Sequence, residues 1–322
     1  MKKQYLVQVV DGLSFHTLLP SLIAIFFSSP SLYAQFNTVA DGRIESEYKL
    51  SVPKEIETQV WEFLTAEFDS TGIKKINPLF SSEVAQEVFY DQYFDDENKT
   101  LFNAKAGVRF RQRYVADTLS KNLVQLKLPL ADTTGVARQE IKFNVYTKIK
   151  NLDRQAMHPF WRYVRPKNRE EVNLYLASFD LTGNDLSPAI KVEQDRKRIY
   201  VSENGIPYLT MTFDEVCSFY FPYPCFTELE LELNEIRFTD GSEEERVKME
   251  LINQLIKDKV LTQFPALQQD QTPKYNKMSL LLKDNLLEKI YSNLMYIILG
   301  IVVLYAGILF IQNNKKQRAN IQ

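Results

Sequence analysis

The sequence predicts an α+β fold built on an antiparallel sheet of about eight strands, with helices inserted between them. Three observations predict it. Short segments of alternating polarity recur between residues 43 and 236, mostly in hairpin order. Apolar residues at helical spacing separate some of them. No linker rich in Pro, Gly or Ser, no repeat and no low-complexity segment interrupts residues 35–285, so that stretch reads as one domain.

The elements follow in order. Lys2 and Lys3 precede an apolar run at 18–27 that is too short to span a bilayer, which takes about 20 residues. Ser31-Leu32-Tyr33-Ala34 then offers a small-residue cleavage site, so residues 1–34 read as a secretory signal peptide. A first strand covers 43–51. The next helix opens at Pro53, carries Ile56, Val60, Phe63, Leu64 and Phe68, and ends at Gly72. Strands are expected at 86–94, 107–115, 122–130 and 136–146, and a helical pair broken by Pro159 at 152–180. Further strands at 189–201, 207–216 and 225–236 precede a helix that starts on Glu243-Glu244-Glu245 and runs to about 262. From Leu280 an amphipathic helix leads into 294–311, which holds no charged residue; residues 286–312 are expected as one transmembrane helix with its lead. Lys315, Lys316 and Arg318 follow, which places the tail 313–322 in the cytoplasm and the domain on the periplasmic side of the inner membrane.

Composition excludes several functions. A net charge of −2 on 322 residues gives no nucleic-acid surface. Two histidines, His16 and His158, argue against a Ser-His-Asp triad and an imidazole zinc site, so a metal would be held by carboxylates, which favours Mg²⁺, Mn²⁺ or Ca²⁺. There is no Gly-x-x-x-x-Gly-Lys-Ser/Thr phosphate loop. Cys217 and Cys225 flank a short loop, either as a disulfide suited to an oxidising compartment or as two free thiols.

The charged positions are sorted by strand. Glu45, Glu47 and Lys49 share one face of the first strand, and Arg109, Arg111 and Arg113 one face of the third. Lys127, the row Arg138, Glu140 and Lys142, and the pair Arg196 and Arg198 follow, then Asp214, and finally Glu228, Glu230 and Glu232. An open sheet showing charge to water and a barrel with a polar bore both fit this alternation.

Several of these residues form an ordered series. It begins with Glu45-x-Glu47-x-Lys49. Tyr93-Phe94-Asp95-Asp96 and Gly107-Val108-Arg109-Phe110-Arg111 come next, followed by Leu126-Lys127 and Arg138-Gln139-Glu140. The segment Thr210-Met211-Thr212-Phe213-Asp214 precedes Glu228-Leu229-Glu230, and Lys274-Tyr275-Asn276-Lys277 closes the series. In this order, over roughly residues 43–277, the chain resembles the CYTH superfamily, the triphosphate tunnel metalloenzymes. Pro273 stands where a serine is expected, and 150–190 is longer than a minimal member needs.

The resemblance implies an eight-stranded antiparallel β-barrel, a tunnel with helices packed outside. It implies a metal-dependent hydrolase of triphosphate or polyphosphate chains, with linear triphosphate, polyphosphate or nucleotide as substrate and Mg²⁺ or Mn²⁺ as cofactor. Glu45, Glu47 and Lys49 are the expected catalytic row, and Glu45, Glu47, Asp214, Glu228 and Glu230 the expected metal ligands. Arg109, Arg111, Arg113, Lys127, Arg138, Arg196, Arg198, Lys274 and Lys277 supply the cations that several phosphate charges demand. A polyphosphate polymerase like that of vacuolar transporter chaperones, which shares the barrel and a Lys-x-x-Lys ending, and a non-catalytic polyanion-binding module are the alternatives.

Overall fold

Alternating polarity becomes a two-faced sheet in the structure, a computed structural model that describes residues 43–129, 137–145 and 158–319. The leader expected at 1–34 lies outside the described residues. The strands are β1 (Arg43–Val52), β2 (Phe80–Asp95), β3 (Gly107–Val115), β4 (Thr118–Pro129), β5 (Ala137–Asn144), β6 (Ser187–Glu203), β7 (Ile206–Ser218), β8 (Cys225–Leu233) and β9 (Gln268–Gln269). They form one nine-stranded sheet in the order β5-β4-β3-β2-β6-β7-β8-β1-β9, every pair antiparallel. The order comes back on itself: residues 43–46 of β1 pair with 137–140 of β5, and residues 47–52 of β1 pair with β8. The expected eight-stranded barrel is therefore corrected to a nine-stranded sheet. The added strand exists because Leu267 is buried in the core and carries Gln268 and Gln269 onto Leu50 and Ser51 of β1.

The helices are α1 (Glu57–Glu67), α2 (Thr100–Asn103), α3 (Arg169–Leu176), α4 (Glu235–Asp240), α5 (Glu243–Gln263) and α6 (Lys274–Ala319). The apolar face of the sheet points outward. Leu50, Met211, Leu229 and Leu231 form a core with Val60 and Leu64 of α1 and Met249, Ile256 and Val260 of α5. Each such side chain contributes about 2 kcal/mol by leaving water. Asn234 and Ser242 cap α4 and α5 by accepting from the amides of Arg237 and Glu245, which stops β8 at Leu233. The long insertion before β6 covers the other flank: Tyr163 stacks on Phe110 at 3.9 Å and Phe160 packs on Phe94 at 5.1 Å. Gln92 donates to the His158 carbonyl at 2.9 Å, so this segment roofs β2 and β3.

Helix α6 starts at Lys274, six residues before the expected Leu280. The expected transmembrane helix is not found: among the described residues, no helix is long and apolar enough to cross a membrane. Within α6 the exposed apolar side chains described without a break run from 296 to 311. That is roughly 24 Å of helix, against about 30 Å of bilayer core. Cys217 and Cys225 face each other at the start of the β7–β8 pairing, their sulfurs 2.09 Å apart as a disulfide.

Candidate functional site

With leucine and valine outward, the ionic rows turn inward. Glu47, Lys49, Arg109, Arg111, Arg138, Arg196, Asp214, Glu228, Glu230 and Lys274 are all buried. All of these except Asp214 and Glu228 line an interior cavity of about 130 Å³, with Glu47, Lys49, Glu230 and Lys274 on one side and Arg109, Arg111, Lys127 and Arg138 on the other. Arg196, Arg198, Glu140, Lys142 and Glu232 complete the charged lining.

The first wall comes from β1, β7, β8 and the start of α6. Register places Lys49 directly opposite Glu230 and Thr212 opposite Glu230. Lys49 Nζ lies 3.1 Å from both Glu47 Oε1 and Glu230 Oε1. Lys274 Nζ lies 2.7 Å from Glu230 Oε1, 3.0 Å from Asp214 Oδ2, and in contact with Glu228. Arg196 donates two bonds to Asp214, one from Nε at 2.6 Å, and a third to Glu230 at 3.3 Å. Burial pushes the Glu230 carboxyl up, but Lys274, Lys49 and Arg196 outweigh it and hold it well below the usual carboxylate range. Glu47 is lowered in the same way, its burial outweighed by Lys49 and Lys127. Burial wins at Glu228, whose carboxyl is raised.

The second wall comes from β2 to β5. Asp91 of β2 is completely buried and accepts from Arg111 Nε at 2.7 Å, from Arg111 Nη2, and from Arg109 Nη1 at 3.2 Å. Arg109 also donates to Gln125 at 2.9 Å and to the Tyr93 hydroxyl at 3.1 Å. The Arg111 guanidinium lies 4.3 Å from the centre of the Phe89 ring, which fixes its plane. Gln125 in turn donates to Glu140 at 3.0 Å. Burial raises the Glu140 carboxyl, but Lys127 and Lys142 outweigh it and hold it at about 2. Arg138 donates to the Gln271 carbonyl at 3.2 Å.

The structure brings together most of the residues singled out by sequence. The side chain of Glu45 lies outside the described residues; its backbone stands opposite Arg138. Four others do not line the cavity as expected. Arg113 is half-exposed and bonded to Glu87, because two further residues on a strand carry it about 7 Å past Arg111. Lys277, one helical turn beyond Lys274, spends its amine on Asp270 at 2.7 Å and rests on the Phe226 ring. Asp214 and Glu228 lie behind the cavity lining, Asp214 bound to Arg196 and Lys274, and Glu228 to Lys274. Sequence reasoning missed Asp91, Gln125 and Gln194, which accepts from Arg111 at 3.1 Å. The signal was the shared parity of Glu87, Asp91 and Arg-bearing positions opposite them, such as the register pair Asp91 and Arg111.

The acidic wall fits a hard divalent cation. Asp214, Glu228 and Glu230 each place a carboxylate oxygen within 4.8 Å of the others, all three buried, and Glu228 Oε2 has no hydrogen bond while its Oε1 meets the Lys274 ammonium. An all-carboxylate donor set of this kind suits Mg²⁺ or Mn²⁺.

The combination of an inward ionic lining and an outer apolar jacket defines a protein with a charged internal cavity. The CYTH domain model matches residues 44–261, and the chain belongs to that family. Several solved structures are similar to parts of the chain. A putative adenylate cyclase from Bacillus halodurans is 16% identical, with a TM-score of 0.45, over 74% of this chain and 98% of that one. A putative adenylyl cyclase from Hippeastrum, described as having a dominant triphosphatase activity, is 15% identical, with a TM-score of 0.35, over 67% and 87%. An RNA triphosphatase from S. pombe is 12% identical, with a TM-score of 0.35, over 78% and 97%. No curated relative matches the sequence.

Proposed function

We propose that this chain is a metal-dependent hydrolase of linear triphosphate or polyphosphate chains, working inside the cavity and attached to the outer face of the inner membrane. The observation that carries the reading is the division of one buried cavity into an acidic and a basic wall. A polyphosphate chain needs several cations on one side, and a divalent ion needs carboxylates on the other.

Arg109, Arg111, Lys127 and Arg138 bind the phosphate oxygens, and Asp91 and Gln125 hold the two arginines in orientation. Glu47, Asp214, Glu228 and Glu230 would hold Mg²⁺ or Mn²⁺, with Glu45 as a further expected ligand. When bound, such an ion neutralises charge on the phosphate as the bridging bond breaks. Burial excludes bulk water, so positioning and electrostatics act in a low dielectric, as phosphoryl transfer requires. The ionised carboxylates of the acidic wall orient a water for attack on the terminal phosphorus and accept its proton. The products are phosphate and a chain one unit shorter.

Attachment to a membrane is supported by the uncharged run 294–311, by the exposure of its described side chains, and by the paired cysteines, which suit an extracytoplasmic compartment. One experiment tests both parts. Cells expressing the full chain are fractionated, and phosphate release from tripolyphosphate is measured with Mg²⁺, Mn²⁺ and chelator. Metal-dependent release in the membrane pellet is expected. Release confined to the soluble fraction removes the attachment, and no release from tripolyphosphate, polyphosphate or nucleoside triphosphate removes the hydrolase.

A further inference from the structure

Helix α6 opens inside the cavity, and its first residue does something that the phosphate-binding role expected of Lys274 does not explain. The Lys274 ammonium points away from the basic wall and into the three carboxylates that converge within 4.8 Å of one another, reaching Glu230 at 2.7 Å, Asp214 at 3.0 Å, and Glu228. It stands where a cation belongs.

The backbone beneath it is held by other contacts. The Tyr275 hydroxyl donates to Asp95 at 2.9 Å, and Asn276 donates to the Phe102 carbonyl at 2.7 Å. Lys277 is paired with Asp270, and Met278 is fully buried against Tyr93, Val192, Val216 and Phe226. None of these contacts depends on where the Lys274 ammonium lies. That ammonium sits on a flexible four-carbon stem beside open cavity space. The local charge is also unbalanced. Asp214 is matched by Arg196, but Glu228 and Glu230 share what Lys274 and Lys49 leave them, and Glu228 has the Lys274 ammonium at Oε1 and no hydrogen bond at Oε2.

We propose that Lys274 is the resident cation of the acidic wall, and that a divalent ion enters between Asp214, Glu228 and Glu230 by displacing the Lys274 ammonium into the cavity while α6 stays seated. The inference rests on the reading of this wall as a metal site. The exchange makes and breaks no covalent bond: one dication enters and one ammonium leaves the carboxylates, a gain of one positive charge at the carboxylates and of two in the cavity as a whole. Lys274 therefore sets the metal affinity of the chain by competition, and the displaced ammonium moves toward the space a phosphate chain would fill.

Mn²⁺ alone is the probe. It is titrated into the full-length chain in detergent, with no phosphate compound present, and bound ion is followed by its electron paramagnetic resonance signal. Lys274→Met should bind Mn²⁺ roughly tenfold more tightly than the natural chain, the loss of one competing charge being of that order. Lys277→Met, whose amine lies on Asp270, should bind as the natural chain does. Lys274→Met leaves buried carboxylates unpaired and can fail to fold, so amine acetylation of the natural chain, read by mass spectrometry, supplies a second measurement. Lys274 should be protected without metal and labelled several-fold faster with Mn²⁺, while Lys277 is unchanged. Equal or weaker Mn²⁺ binding by folded Lys274→Met, no Mn²⁺ binding by either chain, or Lys274 labelling that Mn²⁺ does not move overturns the proposal. Neither readout needs a substrate. A chain that hydrolyses tripolyphosphate with Lys274 still protected by metal refutes the exchange alone, and a chain that exchanges metal but hydrolyses nothing refutes the hydrolase alone.

Discussion

The two walls of the cavity are built from the same residue types and do opposite things. On the acidic wall Glu47, Asp214, Glu228 and Glu230 face Lys49, Lys274 and Arg196, so carboxylates are in excess. On the basic wall Arg109, Arg111, Lys127 and Arg138 face Asp91 and Glu140, so cations are in excess. Neither wall is a bare charge cluster, which would be too costly to bury. Each is a nearly neutral network with a small surplus, and the surplus decides what the wall attracts. A cavity of mixed sign would attract neither ligand strongly. Sorting the signs by strand gives one side an excess of carboxylates and the other an excess of cations, with about 130 Å³ between them.

The sharpest way to break this division is on the acidic side. Glu230 contacts Lys49, Lys274 and Arg196 at once, so Glu230→Gln removes the charge that ties all three to the wall. Hydrolysis of tripolyphosphate should fall by about 10³-fold in kcat, the scale of losing a metal-bearing carboxylate or a main electrostatic stabiliser. A kcat within threefold of the natural enzyme would show that the acidic wall is structural only.

The basic side breaks more gently. Asp91→Asn keeps the shape but takes away the charge that fixes Arg109 and Arg111. Both guanidinium groups remain in the cavity, less well oriented. The expected loss is about 10²-fold in kcat/KM, carried mostly by KM, because the arginines still bind phosphate but at a cost in ordering. Asp91→Glu should recover part of it. Equal kcat/KM in Asp91→Asn and the natural chain would detach Asp91 from substrate binding.

The contrast between the walls also explains what could be read from the sequence. Arg-x-Arg on β3 and Glu-x-Glu on β8 alternate cleanly with apolar residues, and Glu-x-Glu-x-Lys on β1 does so except at Ser46, so their strands and faces are legible. Alternation could not say which face pointed inward. That depends on α1 and α5 covering the apolar side, a tertiary fact. Asp91 was missed because its face of β2 reads Glu87, Phe89, Asp91, Tyr93, a mixed row in which no charge pattern stands out. Phe89 belongs there because Arg111 and Arg196 both lie over its ring, which no local pattern reveals. Lys277 was grouped with Lys274 by spacing, but only the first turn of α6 enters the cavity. The ninth strand was illegible because two polar residues, Gln268 and Gln269, carry no strand signal of their own.

The smallest expected effect tests whether the basic wall is charged in the absence of any ligand. Glu140 is buried, and its carboxyl sits at about 2, because Lys127 and Lys142 together outweigh the burial that would raise it. An acid whose folded value lies below its ordinary 4.5 stabilises the protein above that ordinary value. The contribution is lost as pH falls from there through about 2. Its size is on the order of 1–2 kcal/mol, allowing for Lys142 lying at the half-exposed rim and for screening. Glu140→Gln should therefore melt several degrees below the natural chain at pH 7, and the gap should narrow steadily between pH 5 and pH 3 as the natural chain gives up the same charge. Thermal melts of both chains across that range, at low and high salt, measure it directly. Gln can still accept the hydrogen bond from Gln125, so a gap that is constant with pH would mean that the variant loses packing and not charge, and that the surplus of positive charge on this wall is smaller than the ion pairs imply.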